Sequence, residues 1–91
     1  MKAIWKYELK IKDCQSIPIG DRYAKPLAVA EQNGKLVMWV EHDSGCAVTG
    51  DVAICVDIFG TGHPMRETGE YVGTVCMSNG LVWHVYATIA G

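Results

Sequence analysis

Two Asn-Gly dipeptides, each lying between runs of alternating apolar residues, constrain the fold of this chain more than any other feature. They are Asn33-Gly34 and Asn79-Gly80. Both residue types adopt positive φ at low energetic cost, so the dipeptide favours the two-residue type I′ turn that connects antiparallel strands. The sequence therefore predicts one β-hairpin around each dipeptide, over residues 27–40 and 71–88.

A two-residue loop also determines which residues of a hairpin lie opposite each other. In the first hairpin the predicted pairs are Glu31 with Leu36, Ala30 with Val37, Val29 with Met38, Ala28 with Trp39 and Leu27 with Val40. In the second they are Cys76 with Trp83, Val75 with His84, Thr74 with Val85, Gly73 with Tyr86 and Val72 with Ala87. Tyr86 is then expected to cover Gly73, which has no side chain of its own.

The remaining segments show the same alternation. Residues 3–11 and 52–59 place apolar side chains at every second position, as strands do. Residues 13–23 and 42–50 contain the Gly, Asp and Ser that are typical of loops. Because no stretch of ten residues shows a helical period, we expect one all-β domain over residues 1–91, with about six antiparallel strands in a small sandwich or a partly open barrel.

Charge and apolar content limit the possible functions. Eight Lys and Arg residues against ten Asp and Glu give a net charge of -2, so the chain lacks the positive charge with which proteins bind long nucleic acids. With 91 residues, 49% of them hydrophobic, it contains more apolar residues than so small a domain buries. We therefore expect part of its apolar surface to contact another copy of the chain in a homo-oligomer.

Neither a secretory signal nor a membrane-spanning segment is predicted. The N-terminal residues lack an uninterrupted apolar stretch, and no window approaches the roughly 18 apolar residues of a spanning helix. The cysteines, Cys14, Cys46, Cys55 and Cys76, form no CxxC pair, and the last two lie in apolar runs where a thiol packs as a small hydrophobe. A reduced protein in the cytoplasm is the expectation.

The most distinctive run for chemistry extends from Phe59 to Pro64. In it, Gly60, Thr61, Gly62 and His63 follow a buried strand and predict a sharp turn. Backbone N–H groups in such a turn can bind an anion, with the threonine hydroxyl and the imidazole as further donors. The alternative is a tight β-turn in which the glycines only provide positive φ. The run lacks the third glycine of a dinucleotide fingerprint and the Lys-Ser/Thr of a P-loop.

Further candidate ligand-binding residues are loop arginines, aromatic residues and one strand histidine: Arg22, Arg66, Trp39, Tyr71, Tyr86 and His84. Arginine can bind a phosphate through two parallel hydrogen bonds, and an aromatic ring can stack on a nucleobase. The alternatives are an aromatic core and, for the histidine, a satisfied polar position on a strand. The histidines, cysteines and carboxylates do not show the spacing of a metal site or a catalytic set, so no metal, cofactor or catalytic residue is assigned.

Three segments together resemble a family of small uncharacterised proteins encoded by tailed bacteriophages and prophages. They are Ile4-Trp5-Lys6-Tyr7, Phe59-Gly60-Thr61-Gly62-His63-Pro64 and Leu81-Val82-Trp83-His84-Val85-Tyr86, and the resemblance spans nearly the whole chain. It departs at residues 42–50, where members of that family often carry a longer, charged connection. The resemblance implies a phage origin and a location in the host cytoplasm, and it implies no particular activity.

The inventory of residues favours binding over catalysis. The leading hypothesis is an anti-defence sponge: a homo-oligomer that sequesters a nucleotide-derived signal of host immunity, of the cyclic oligonucleotide or ADP-ribose type, without cleaving it. This rests on the phage context and not on the fold. One alternative is a protein-interaction module that inhibits a host protein. The other is a metal-independent phosphodiesterase that uses His63 and His84 as acid and base.

Overall fold

The computed structural model describes residues 2–43 and 52–90, and all regular structure in these two segments is β-strand. The strands are β1 (Lys2–Leu9), β2 (Cys14–Pro18), β3 (Lys25–Gln32), β4 (Lys35–Asp43), β5 (Ala53–Gly60), β6 (Glu70–Cys76) and β7 (Val82–Ala90). The all-β prediction is confirmed. The strand beyond the expected six is β2, which lies inside the predicted loop 13–23 and is short enough to show no clear alternation.

The strands form two antiparallel sheets that pack against each other as a small sandwich. The first sheet has the order β1-β4-β3, and the second has the order β2-β5-β7-β6. Of the two predicted architectures, the sandwich is the one observed. Because β2 pairs with β5, the chain crosses from the first sheet to the second and back again before β3 begins.

The core lies between the sheets and follows from the period of two. Every second residue of the central strands points inward, and five of these side chains have 0% of their surface exposed: Met38, Val40, Ile54, Val56 and Val85. Burying one such side chain contributes about 1.5–3 kcal/mol relative to leaving it in water. The same alternation sends the intervening residues of β5, β6 and β7 to the outer face of the second sheet, where the candidate site lies.

The first hairpin has the predicted type I′ turn. Asn33 and Gly34 have φ values of 53° and 79°, and the predicted pairs from Glu31 to Ala28 are confirmed. The pair predicted for Leu27 is wrong, because a bulge between Pro26 and Ala28 places the proline opposite Val40. Proline has no N–H to continue a ladder of hydrogen bonds, and a bulge accommodates it.

The second hairpin is displaced by one residue from its predicted register. Its loop contains Ser78 as well as Asn79 and Gly80, because the N–H of Met77 donates to the carbonyl of Leu81 (2.7 Å). Only the glycine of this loop has a positive φ, 91°. This is the three-residue loop in which a type I turn ends in a left-handed glycine.

The displaced register changes every predicted pair of this hairpin. The observed pairs are Cys76 with Val82, Val75 with Trp83, Thr74 with His84, Gly73 with Val85, Tyr71 with Tyr86 and Glu70 with Ala87. The register shifts a second time between Tyr71 and Gly73. The prediction that the Tyr86 side chain packs over Gly73 is therefore wrong, since Gly73 lies opposite Val85.

The sandwich is closed along one side and open along the other. At the closed side, Gly73 of β6 meets Val29 of β3 so closely that an added Cβ would lie 2.8 Å from the valine Cγ2. Glu31 of β3 accepts hydrogen bonds from the backbone N–H (3.0 Å) and the hydroxyl (2.9 Å) of Ser78. At the open side, Trp5 lies opposite Val40 on the inner face of β1 and is still 60% exposed.

Candidate ligand-binding site

The run Gly60–His63 forms a tight turn at the end of β5. The carbonyl oxygen of Gly60 accepts a hydrogen bond from the N–H of His63 (3.2 Å), and Gly62 has a φ of 85°. The imidazole folds back over Gly60, where an added Cβ would lie 2.9 Å from the ring atoms. The turn therefore requires Gly62, whereas a side chain at position 60 would displace the His63 ring from its place, and the backbone N–H of His63 is used inside the turn.

A row of hydrogen-bonded side chains extends from this turn across the outer face of the second sheet. His84 bonds the hydroxyl of Thr61 through Nε2 (2.8 Å) and the hydroxyl of Thr74 through Nδ1 (3.0 Å). Thr74 in turn bonds the hydroxyl of Tyr71 (2.6 Å). Because a neutral imidazole donates from one nitrogen and accepts at the other, the two threonines hold the ring in one orientation.

Aromatic rings lie beside this row. Tyr86 contacts Phe59 and Tyr71 edge to face, with ring centroids 5.8 Å and 5.4 Å apart. Phe59 is buried, whereas Tyr71 is 58% exposed. The sheet face thus presents aromatic surface next to hydroxyl and imidazole groups, a combination that can bind a flat polar molecule such as a nucleobase.

Arg66 attaches the segment after the turn to the sheet. Its Nη2 donates to the Asp57 carboxylate (2.5 Å) and to the backbone oxygen of Asp13 (2.7 Å), and its guanidinium carbon lies 5.0 Å from the centre of the Phe59 ring. The hydroxyl of Thr68 donates to the second oxygen of the same carboxylate. The hydrogen bond to Asp57 raises the pKa of Arg66. These contacts order the connection between β5 and β6.

Two cavities adjoin the Gly60–His63 turn. The larger has a volume of about 380 Å³, and its lining includes Lys12, His63, Arg66 and Trp83. The smaller has a volume of about 240 Å³, and its lining includes Thr61, Met65, His84 and Tyr86. Phe59, Gly60 and His63 line both. Both cavities therefore have an aromatic wall and an imidazole. The larger adds Lys12, Arg66 and the Asp13 carboxylate, and the smaller adds His84 and Tyr86.

Most of the predicted ligand-binding residues lie together around this turn: Gly60, Thr61, Gly62, His63, Arg66, Tyr71, His84 and Tyr86. Trp39 lies elsewhere, on the outer face of the first sheet between Lys6 and Ala28. Arg22 follows β2 at the end of the second sheet opposite to Gly60, because Pro18 pairs with Ala53 at the start of β5. Sequence spacing could not reveal these two positions, since it does not show which sheet a strand joins.

Three further residues of this region, Asp57, Thr74 and Lys12, are not among the predicted ones. Asp57 could have been predicted, because it is the one charged residue within the apolar strand 52–59, and a charged group among apolar residues is usually paired. Thr74 was missed because the predicted register placed Val75 opposite His84. Lys12 reaches the larger cavity only because the segment before β2 is held beside β5, a pairing between distant parts of the chain.

A second polar cluster lies near the open side of the sandwich. The Tyr7 hydroxyl and His42 Nε2 are 2.9 Å apart, and His42 Nδ1 lies 3.6 Å from the buried Asp21 carboxylate. That carboxylate also accepts the backbone N–H groups of Tyr23 (2.9 Å) and Asp43 (3.1 Å). Burial raises the pKa of the Tyr7 phenol. The cluster fixes the connection between β2 and β3 against the end of β4.

Within residues 2–43 and 52–90, no group of three or more His, Cys, Asp or Glu side chains is arranged to hold a metal ion. Cys14, Cys55 and Cys76 are free thiols, and Cys46 lies outside the described residues. The described part of the chain contains no helix that is long and apolar enough to cross a membrane.

The comparison with known proteins gives a family. The model of a family described as Domain of unknown function (DUF7352) matches residues 1–90. No curated protein and no solved structure matches the chain significantly. The match includes both hairpins, the Gly60–His63 turn and every strand of the sandwich. The chain therefore belongs to the DUF7352 family.

Proposed function

We propose that this protein binds a phosphate-bearing, nucleotide-like small molecule and holds it without cleaving it. The observation that carries the proposal is that the Gly60–His63 turn lines two cavities, one with the cationic Lys12 and Arg66 and the other with Tyr86 and His84. A nucleotide has the corresponding two parts, an anionic phosphate and a flat base. Each cavity suits one of them.

The phosphate is assigned to the larger cavity, next to Lys12, His63 and Arg66. An ammonium group attracts phosphate as a point charge, and a guanidinium N–H donates a charge-assisted hydrogen bond to it. Both hydrogen bonds from Arg66 to the protein leave from Nη2, which belongs to each two-atom fork of the group, so a single N–H from Nη1 is assigned to the phosphate. The volume of about 380 Å³ falls within the range of small-molecule sites.

The base or ribose is assigned to the aromatic side. Stacking on an exposed tyrosine contributes about 1–3 kcal/mol per base, and Tyr71 and Tyr86 provide such a surface. A hydroxyl oxygen has two acceptor positions, so the neighbouring hydroxyls of Thr61 and Thr74 can accept a hydrogen bond from a base edge or a ribose while they remain bonded to His84.

The arrangement of His84 supports binding over hydrolysis. Both of its ring nitrogens are bonded to threonine hydroxyls, Thr61 and Thr74. A general acid or base must reach the proton that it transfers. A phosphodiesterase that uses His63 and His84 therefore needs this row of hydrogen bonds to rearrange, whereas simple binding leaves it intact.

The resemblance to phage-encoded proteins narrows the class of ligand. It supports a nucleotide-derived signal of host defence, such as a cyclic oligonucleotide or an ADP-ribose derivative, with sequestration in the host cytoplasm as the function. Inhibition of a host protein through an apolar surface is the other function that this context supports, and the experiment below separates the two.

Isothermal titration against cyclic dinucleotides and cyclic ADP-ribose isomers tests the proposal. We expect micromolar or tighter binding to at least one compound, weakened about tenfold or more by Tyr86→Ala and by Lys12→Ala, which each change a residue that lines one of the two cavities. Tyr23→Ala and Lys25→Ala are the matched controls, because both residues are exposed and line neither cavity, and they should leave the affinity unchanged.

The outcomes distinguish the three functions. Mass spectrometry of the ligand recovered after denaturation should find it intact, and recovery of cleaved products supports the phosphodiesterase instead. Failure to bind any compound of the panel at micromolar concentration overturns the proposal. Failure combined with capture of one host protein supports the interaction module.

A further inference from the structure

Each of the two sheets has two edge strands, and three of these four edges are protected against pairing with another chain. β2 is five residues long and ends in Pro18, which has no N–H. β3 contains the bulge at Pro26, and β6 contains the irregularity between Tyr71 and Gly73. β3 and β6 also approach each other closely along the closed side of the sandwich.

The fourth edge, β1, has none of these protections. Its eight residues pair with β4 without interruption, from Lys2 opposite Asp43 to Leu9 opposite Leu36, and contain no proline. Lysine side chains often guard such an edge. Here Lys6 reaches across the sheet to Gln32 on β3, with Nζ 2.5 Å from the amide oxygen, and so does not cover the edge. Among the described residues, the other side of β1 is unpaired.

The apolar side chains of β1 are unusually exposed. Ile4 on the outer face and Trp5 on the inner face expose 62% and 60% of their surfaces. On a strand whose edge is also open, two such neighbours present both hydrogen-bonding groups and apolar contact area, which is what β-strand addition requires.

Charge and the length of overlap together select one way in which β1 can pair with a second copy of itself. In an antiparallel pair with the two-fold axis at Trp5, Lys2 lies opposite Glu8 of the second copy, twice per dimer, and Trp5 lies opposite Trp5. An axis at Ile4 places Lys2 opposite Lys6, and an axis at Lys6 places two lysines together. An axis at Tyr7 also brings opposite charges together, Lys6 with Glu8, but only residues 5–9 of each strand then overlap, whereas an axis at Trp5 pairs residues 2–8.

We propose that two copies of this chain join along β1 in antiparallel register about Trp5, which converts two three-stranded sheets into one six-stranded sheet. The occupant of the edge is thus a second copy of the chain. The side chains of Lys2 and Glu8 are 67% and 56% exposed, so each can reach the other copy. Each also retains a partner on β4, since Lys2 lies 3.5 Å from Glu41 and Glu8 lies 3.2 Å from Lys35.

Sedimentation equilibrium of the full chain with charge-swap variants tests the pairing. Wild type should be a dimer at tens of micromolar. Lys2→Glu or Glu8→Lys alone places like charges opposite each other and should raise the dimer dissociation constant about tenfold or more. The double variant restores opposite charges and should restore the dimer. Circular dichroism of each variant confirms that it is folded.

Cysteine substitution checks the register independently. In a chain whose four native cysteines are replaced by serine, Trp5→Cys should form a disulfide with its own copy under mild oxidation, because directly opposite residues bring their Cα atoms within disulfide range. Ile4→Cys or Lys6→Cys alone should not, while a mixture of these two should cross-link with each other. A monomeric wild type, a double variant that stays monomeric, or a cross-link at Ile4 alone overturns the proposal.

Discussion

The contact between Gly73 and Val29 should make alanine unfavourable at position 73, although alanine suits a strand better than glycine. Gly73 lies on β6 at the closed side of the sandwich, and the nearest atom to an added Cβ is the valine Cγ2, at 2.8 Å. Valine is branched at Cβ and has restricted rotation about χ1, so this methyl group cannot simply turn away. The two sheets must instead move apart locally.

The expected cost follows from overpacking in a well-packed region, about 1–3 kcal/mol for one extra methyl group. In a domain of this size each kcal/mol lowers the melting temperature by about 4–8 °C. Gly73 is not among the glycines with positive φ, so its backbone can accommodate alanine. If the clash is removed, Gly73→Ala should therefore gain about 0.4–1 kcal/mol by restricting the unfolded chain.

A double-mutant cycle with Val29→Ala isolates the contact. Urea denaturation followed by tryptophan fluorescence should show Gly73→Ala destabilising the wild-type chain by about 1–3 kcal/mol and being neutral or stabilising beside Val29→Ala. The coupling energy between the two positions measures the steric contact directly. Equal effects of Gly73→Ala in both backgrounds would show that the two sheets do not meet at this point, and would refute the reasoning.

Three further substitutions test other contacts. Burial raises the pKa of Tyr7 above its ordinary value of 10.0, so the phenol ionises more readily in the unfolded chain than in the folded one. As the pH rises past 10.0, the free energy of unfolding of wild type should therefore fall relative to that of Tyr7→Phe. Equal pH dependence of the two proteins in urea denaturation contradicts this. Gly80→Ala places a side chain at a φ of 91° and should lower the stability measured by thermal melting by about 1–2 kcal/mol. Unchanged stability contradicts the left-handed conformation of this residue. Asp57→Asn weakens the hydrogen bond and ion pair that hold Arg66 to β5, and should speed amide hydrogen exchange selectively in residues 61–69. Unchanged exchange in these residues shows that the Asp57–Arg66 pair does not order them.

The two Asn-Gly dipeptides show how far a local sequence determines a β-hairpin. Asn33 adopts positive φ and gives the predicted two-residue turn. Asn79 does not, and its side-chain oxygen instead accepts the N–H of Leu81 (3.0 Å), which belongs to a longer loop. The dipeptide therefore predicts the existence of both hairpins but the register of only one, because packing of the whole sheet decides which φ the asparagine adopts.

The candidate site was predictable where it depends on one strand and its adjoining turn. Strand alternation placed His84 and Tyr86 on one face, and the sequence around Gly60 predicted the turn beside them. Positions that depend on pairing between distant strands were not predictable. Arg22 lies at the far end of the second sheet and Trp39 on the other sheet, because period-two patterning identifies the faces of a strand and not its neighbours.

β2 joins a sheet whose other strands are synthesised much later than β2 itself. The first sheet has all of its strands within residues 2–43, whereas the partner of β2 begins at Ala53 and the second sheet ends at Ala90. At a synthesis rate of about 5–20 residues per second, the interval between the synthesis of β2 and that of β5 is on the order of seconds. During that time β1, β3 and β4 can already pair, with β2 held as an unpaired loop between them. The nascent chain is therefore expected to pass through a state in which the first sheet has formed and β2 is still unpaired.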